Sequence, residues 1–224
     1  MSFNFAIIGG GLTATAMLYQ IVEKLGQNID LSKLNPSRIK IQIFEKQETF
    51  GPGFPHSDRN VMPFHITNMC AEDMGILFGN PADFQEWGIH HQHSLRERFP
   101  YMDDVSFGQA GCNHYPRAVM GAYLTQRFHE AYQKARALGL AVELCSQSEV
   151  IDLEEKRDKI RLTVKNRLLG SIFSCNADRV LLATGHWFEE KERNNYFPSP
   201  WPAKNLLERI PEGEKVAVIG TSLS

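Results

Sequence analysis

A run of small residues near the N-terminus sets the first chemical constraint. Gly9-Gly10-Gly11-Leu12-Thr13-Ala14 fits the pattern G-x-G-x-x-(G/A) and lies between a short apolar run, Phe5–Ile8, and a helical repeat. Gly9 permits a tight turn, Gly11 lets backbone approach a pyrophosphate with no Cβ in the way, and Ala14 is small enough for a helix to pack closely on a sheet. The N-terminus of that helix offers phosphate oxygens the positive end of a dipole and N–H groups without helical acceptors. A glycine-rich turn that binds nothing shares the bare pattern, but the strand before it and the helix after it favour a dinucleotide site. Glu45, with Lys46 beside it, ends the run Ile41–Phe44, and its carboxylate can accept two hydrogen bonds from the ribose hydroxyls of an adenosine. It stands further from the glycines than the usual ~20 residues. The polar stretch Gln27–Ser37 accounts for the excess as a surface insertion.

The elements that must hold these residues can be read from periodicity. Phe5–Ile8 is apolar enough to be a strand buried on both faces of a parallel sheet, and Ile39–Phe44 reads as a second strand. Between them Met17, Leu18, Ile21, Val22 and Leu25 recur at helical spacing, with Gly26 placed to end the helix. Residues 49–115 are irregular and rich in Gly, Pro, His, Met and aromatics, with one helix expected to start at Asn80-Pro81. An insertion of this length in a compact domain points to function. A long amphipathic helix follows Pro116 and stops at Gly139. After it come β-type runs at Ala141–Leu144, Glu149–Leu153, Lys159–Val164 and Ser171–Cys175, separated in part by hairpin-like polar breaks. A buried strand expected over Arg179–Ala183 then ends in Thr184-Gly185, and the small residues of Ala183-Thr184-Gly185 let the chain pass close to a ligand. A Pro-rich connection leads to Lys215–Ile219, a further expected strand, and to Gly220-Thr221-Ser222.

Composition excludes several classes. Lys and Arg number 24 against 26 Asp and Glu, a net charge of −2, so no positive field for nucleic acid exists. No apolar run approaches the ~20 residues of a membrane span. The N-terminus lacks the basic and apolar regions of a signal peptide, which makes the cytoplasm the expected location. Cys70, Cys112, Cys145 and Cys175 form no Cys-x-x-Cys pair and read as reduced, mostly buried thiols. His90-His91-x-His93 has no acidic or cysteine partner at ligand spacing, so no metal is expected. No side chain stands out as a catalytic acid, base or nucleophile.

Taken together, the residues resemble the two-dinucleotide-binding-domain flavoproteins, which carry an N-terminal glycine motif, an Ala-Thr-Gly strand and a second glycine motif. Within that group the chain is similar to the FAD/NAD(P)-binding proteins of the flavin monooxygenase-like and pyridine nucleotide-disulfide oxidoreductase-like superfamily. The motifs that carry the likeness read Gly51-Pro52-Gly53-Phe54-Pro55, His65-Ile66-Thr67-Asn68-Met69, Phe84-Gln85-Glu86-Trp87, and Pro116-Arg117 with Gly121, Tyr123 and Leu124. The resemblance implies that FAD occupies the first site. Gly9, Gly11, Leu12 and Thr13 would then contact the pyrophosphate, Glu45 the adenosine ribose, and the backbone of Val150 the adenine. Ala183, Thr184 and Gly185 would pass close to the cofactor, with Asn68, Met69 and Arg117 around its inner half. Gly220 and Ser222 look like the opening of a nicotinamide-binding unit. The chain stops before the helix that would complete that unit, which leads us to expect a fragment or a shortened relative.

The expected fold is therefore an α/β, Rossmann-like parallel sheet with a β-meander. The FAD-binding domain would occupy residues 1–200, and residues 201–224 would form a linker and the first strand of a truncated NAD(P)-binding domain. The expected activity of the complete protein is hydride transfer from NAD(P)H to FAD, with monooxygenation of a small molecule as one outcome. The rival reading is a non-catalytic dinucleotide-binding module with a structural or sensing role. A dehydrogenase using NAD at the first site fits the Ala-Thr-Gly strand and the meander less well.

Overall fold

The computed structural model describes residues 3–28, 35–102, 105–108, 111–186 and 195–219. The chain forms two compact units, each assembled from separated stretches: Met1–Gly53 with Leu124–Gly185, and Phe54–Tyr123 with His186–Ser224.

The first unit is built on a four-stranded parallel sheet in the order β3-β2-β1-β7, comprising β1 (Phe3–Ile8), β2 (Ile39–Phe44), β3 (Ala141–Cys145) and β7 (Arg179–Leu182). The apolar runs predict the central strands correctly, because Ala6, Ile7, Ile41, Ile43 and Phe44 are almost fully buried. Helix α1 (Leu12–Asn28) joins β1 to β2 and buries Ala14, Leu18, Tyr19, Val22 and Leu25 on one stripe. It runs through Gly26, where nothing lies within 4 Å of a would-be Cβ, so that glycine does not stop the helix as expected. A glycine ends a helix only where the backbone turns left-handed, and it does so at Gly139 (φ 82°), which follows α4 (Arg117–Ala137).

The remaining β-type runs form an antiparallel meander, β4 (Ser148–Lys156), β5 (Lys159–Asn166) and β6 (Ile172–Ala177). Leu162, Val164 and Ala177 close over Ala6, Ile8 and Phe44, giving sheet and meander one apolar cluster. Asp178 ties the end of the meander to the sheet. Its N–H donates to the Asn4 carbonyl at 2.7 Å, its Oδ2 accepts the Asn4 N–H at 2.7 Å, and Lys159 pairs with its Oδ1.

After the short α2 (Gly53–His56) come α3 (Asp83–Arg98) and, later in the chain, α5 (Ala203–Arg209), and the second unit that contains these two is organised by aromatic rings. The Phe84 ring lies 5.4 Å from Tyr115 and 5.0 Å from Tyr123, and Trp87 lies 5.5 Å from Tyr123. Helix α3 begins at Asp83 rather than at Asn80-Pro81. The Asn80 and Pro81 carbonyls are committed to a preceding turn, accepting from Asp83 N–H at 3.3 Å and Gly75 N–H at 2.8 Å, so these residues form the approach to the helix. His90, His91 and His93 lie within α3; His91 Nδ1 is 2.9 Å from the Trp87 carbonyl, and His93 pairs with Glu97 one turn on.

Two further expectations are corrected. Cys70 and Cys112, 42 residues apart, are joined by a disulfide, whereas Cys145 and Cys175 are free. Separation along the chain hid the pairing, which depends on two segments brought alongside each other by backbone hydrogen bonds. Lys215–Ile219 forms no strand, and Val216, Val218 and Ile219 are exposed. A strand needs a neighbour to pair with, and an apolar pattern alone cannot supply one.

The Tyr123 hydroxyl donates to Asp83 Oδ2 at 2.5 Å and accepts the Ile76 N–H at 2.9 Å, with the ring fully buried. Tyr123→Phe keeps the packing and removes both bonds. It is expected to cost about 1–3 kcal/mol, the order of taking a hydrogen bond from a buried polar group, and a fall in the denaturant midpoint at unchanged slope will show it.

Candidate dinucleotide site and an arginine-centred cavity

In the first unit the glycine turn is held from three sides. Gly9 adopts φ 102°, and a Cβ placed there would lie 2.1 Å from the Ala183 carbonyl oxygen. Its N–H donates to the Phe44 carbonyl at 2.8 Å, while Ala183 N–H donates to the Ile8 carbonyl at 2.8 Å. Any side chain at Gly9 would thus drive β1 and β7 apart. A Cβ on Gly10 would meet Phe50 at 2.7 Å and Glu45 at 3.0 Å, and one on Gly11 would meet Gly53 Cα at 3.1 Å. The Gly51 N–H donates to the Gly10 carbonyl at 2.7 Å, so the Gly51-Pro52-Gly53 run braces the first glycine turn. Phe50 stacks on Phe128 of α4 at 5.1 Å, which fixes that brace.

Glu45 is buried, and both of its carboxylate oxygens are in use. Oε2 accepts the Gly10 N–H at 2.7 Å and Oε1 accepts the Gln47 N–H at 2.8 Å. Each oxygen retains a second lone pair for a hydroxyl donor. This second task of Glu45, shaping the turn it faces, was not legible in the sequence; Gly10, Phe50 and Gly53 were likewise missed as parts of the cradle. Leu12 and Thr13 are exposed at the start of α1, and Thr15 closes the first turn by donating its N–H and Oγ to the Gly11 carbonyl. Lys46 is exposed. Val150, in β4, is half-buried against the apolar cluster, and Thr184 and Gly185 are exposed beyond β7. These residues share one unit and fit a dinucleotide: the turn admits no Cβ, a helix start adjoins it, and a carboxylate backs it. Gly220 and Ser222 lie outside the described residues.

Asn68, Met69 and Arg117 belong to the second unit, where Arg117 is the hub. Its Nε donates to the Ile66 carbonyl at 3.0 Å, an Nη donates to Asn68 Oδ1 at 2.8 Å, and the guanidinium lies 5.5 Å from the Trp201 ring centre. Its backbone N–H donates to the His65 carbonyl at 2.8 Å, so the sequence positions both ends of this residue. The side chain borders a cavity of about 470 Å³ lined by His65, Asn68, Trp201, Leu206 and Leu207 among others, a size typical of small-molecule sites. Met69 is exposed beside it. Trp201 and the α5 leucines were not singled out in the sequence, since nothing in the Pro-rich connection marks their position. His65 Nδ1 accepts the Met62 N–H at 3.0 Å, which puts the proton of the neutral ring on Nε2. Burial and then the Arg117 charge lower the His65 pKa.

A Rossmann-like turn braced in this way defines a dinucleotide-binding α/β protein. The sequence profile of the FAD-NAD(P)-binding family matches residues 6–187, and the chain belongs to that family. It is 28% identical over 223 residues to the uncharacterized protein YdhS of Escherichia coli (strain K12), covering 99% of this chain and 38% of that protein. Among solved structures it is similar to Tmm from Pelagibacter sp. strain HTCC7211, with TM-score 0.52 and 21% identity, covering 86% of this chain and 38% of the other. S-allyl-L-cysteine S-oxygenase from Allium sativum aligns with TM-score 0.48 and 19% identity over 87% of this chain and 39% of the other. The chain therefore spans well under half the length of the curated relative it matches. No helix among the described residues is long and apolar enough to cross a membrane.

His56 has a buried Nδ1 with no hydrogen-bond partner among the described residues, and burial, followed by the Arg117 charge, lowers its pKa to about 4. The unfolded chain therefore binds this proton more readily than the folded one. The stabilisation is complete above the ordinary histidine value near 6.5 and is lost as pH falls through that value towards 4. Up to about 3 kcal/mol of acid destabilisation is expected from this residue. His56→Gln should flatten the stability–pH curve over that window in urea titrations.

Proposed function

We propose that the chain binds FAD in extended form at the braced glycine turn, and that the whole protein is an NAD(P)H-dependent flavin oxidoreductase. The observation that carries this reading is the buried Glu45 carboxylate tied to Gly10 N–H in a turn that tolerates no Cβ at Gly9. Gly11 and the first N–H groups of α1, at Leu12 and Thr13, would bind the pyrophosphate. The free lone pairs of Glu45 would accept from the adenosine ribose, with exposed Lys46 at its outer edge. The Val150 backbone would face the adenine, and Ala183-Thr184-Gly185 would pass along the cofactor. When bound, the flavin supplies the chemistry of accepting a hydride from a nicotinamide nucleotide and passing electrons to oxygen, with or without hydroxylating a substrate. The protein's own part is to bind, orient and exclude water. In the second unit by itself, Arg117, Asn68 and the Trp201 face offer a cation, an amide and a π surface to a small molecule bearing carbonyl acceptors.

The visible spectrum of the purified chain, followed by identification of any nucleotide released on denaturation, tests the proposal. Oxidised-flavin bands and released FAD are expected; a colourless protein that takes up no added FAD would remove the reading. Glu45→Ala should lose most bound FAD. It should also destabilise the fold by about 3 kcal/mol, as expected when two backbone donors lose a charged acceptor, and calorimetry can follow this.

A further inference from the structure

The disulfide of the second unit has a histidine aimed at it. The Thr67 carbonyl can only accept a hydrogen bond, so His114 Nδ1, 2.8 Å away, carries a proton. The opposite ring nitrogen, Nε2, therefore faces Cys112 Sγ, at 3.2 Å. Cys112 and His114 are exposed and Cys70 is half-buried, so a small reactant can reach the sulfurs. The segments carrying the two cysteines are also held without the sulfur bond. Thr67 N–H donates to the Tyr115 carbonyl at 2.9 Å, Ala71 N–H donates to the Asn113 carbonyl at 2.8 Å, and Ile66 bridges Pro116. Opening the bond leaves the two thiols facing each other. Burial pushes the Cys145 and Cys175 thiols up, Cys145 to about 11.

We propose that Cys70 and Cys112 are a reversible dithiol–disulfide pair that exchanges with low-molecular-weight thiols and disulfides, with Cys112 as the exchanging sulfur and His114 as its proton acceptor. In the reduced pair the Cys112 proton passes to His114 Nε2, leaving a thiolate beside an imidazolium, an arrangement that activates a thiol. The thiolate attacks one sulfur of a disulfide RSSR. That S–S bond breaks, Cys112–SR forms, and RS⁻ leaves to take up the proton held by His114. The Cys70 thiol then gives up its proton and attacks Cys112 Sγ, expelling the second RS⁻, which takes up that proton. The sum is one dithiol oxidised to the disulfide and one RSSR reduced to two RSH; excess RSH drives the reverse. This exchange does not depend on FAD, and its readouts are sulfur chemistry.

The test uses the whole chain, reduced with dithiothreitol, desalted, alkylated with iodoacetamide at about pH 6.5 and mapped by peptide mass. A thiol of ordinary pKa is only about 1% ionised there. Pairing with His114 raises the Cys112 thiolate fraction at this pH, and the loss of nucleophilicity takes back part of that, so Cys112 should react about five- to tenfold faster in the unaltered chain than in His114→Gln. His114→Gln should abolish this advantage at about pH 6.5 yet react no more slowly, and up to several-fold faster, above the ordinary thiol pKa, a pH signature that a loss of packing would not produce. Cys70→Ser with oxidised glutathione should stop at a single mixed disulfide on Cys112, where the unaltered chain closes its own bond and releases two glutathiones. Equal labelling of Cys112 in the unaltered chain and in His114→Gln at about pH 6.5, a pH-independent loss in His114→Gln, or a Cys70–Cys112 bond that stays closed under excess reduced glutathione would overturn the proposal. Stoichiometric retention of added zinc by the reduced pair would overturn it in favour of a metal site.

Discussion

The Glu45 carboxylate accepts the Gly10 N–H at 2.7 Å and the Gln47 N–H at 2.8 Å, and these two bonds join the end of β2 to the turn that follows β1. A buried carboxylate is costly unless its oxygens are paired, so Glu45 and the turn stabilise each other's placement. Gly9 and Ala183 extend the constraint to β7, because the turn packs where no side chain fits. The parallel sheet, the start of α1 and the exposed ends at Thr184 and Gly185 are arranged around this one knot.

The second unit solves a different problem. Its stretch of chain has few regular elements, so side chains do the work that ladders do in the sheet. Tyr123 bonds Asp83 and Ile76, Arg117 bonds Ile66 and Asn68, and the Cys70–Cys112 bond joins two segments already paired through backbone. Buried polar networks of this kind fix one arrangement because every alternative leaves a group unsatisfied. They also concentrate titratable and redox-capable groups, namely His56, His65, His114 and the Cys70–Cys112 pair, in the unit that carries the Arg117 cavity.

The parts legible in the sequence are those governed by local periodicity and sterics. Phe5–Ile8, Ile39–Phe44 and the residues from Val119 to Leu138 announce strands and a helix because their apolar spacing matches one period each. Gly9 and Gly11 announce a turn because only glycine suits close backbone approach. Asn80-Pro81 misled because a good helix start is equally a good turn, and the choice fell to the distant Gly75 N–H. Lys215–Ile219 misled because strand-like composition says nothing about a partner.

Sequence by itself determined the order of elements, the glycine turn, the carboxylate at the end of β2 and membership of the FAD-NAD(P)-binding family. Only the tertiary structure decided that Glu45 holds the turn as well as facing it, that Trp201 lies over Arg117, and that Cys70 meets Cys112 beside His114. The physical reason is range. Turn sterics and amphipathic period act within a few residues, whereas a hydrogen bond, a stacked ring or a disulfide acts through space and leaves no trace in spacing along the chain.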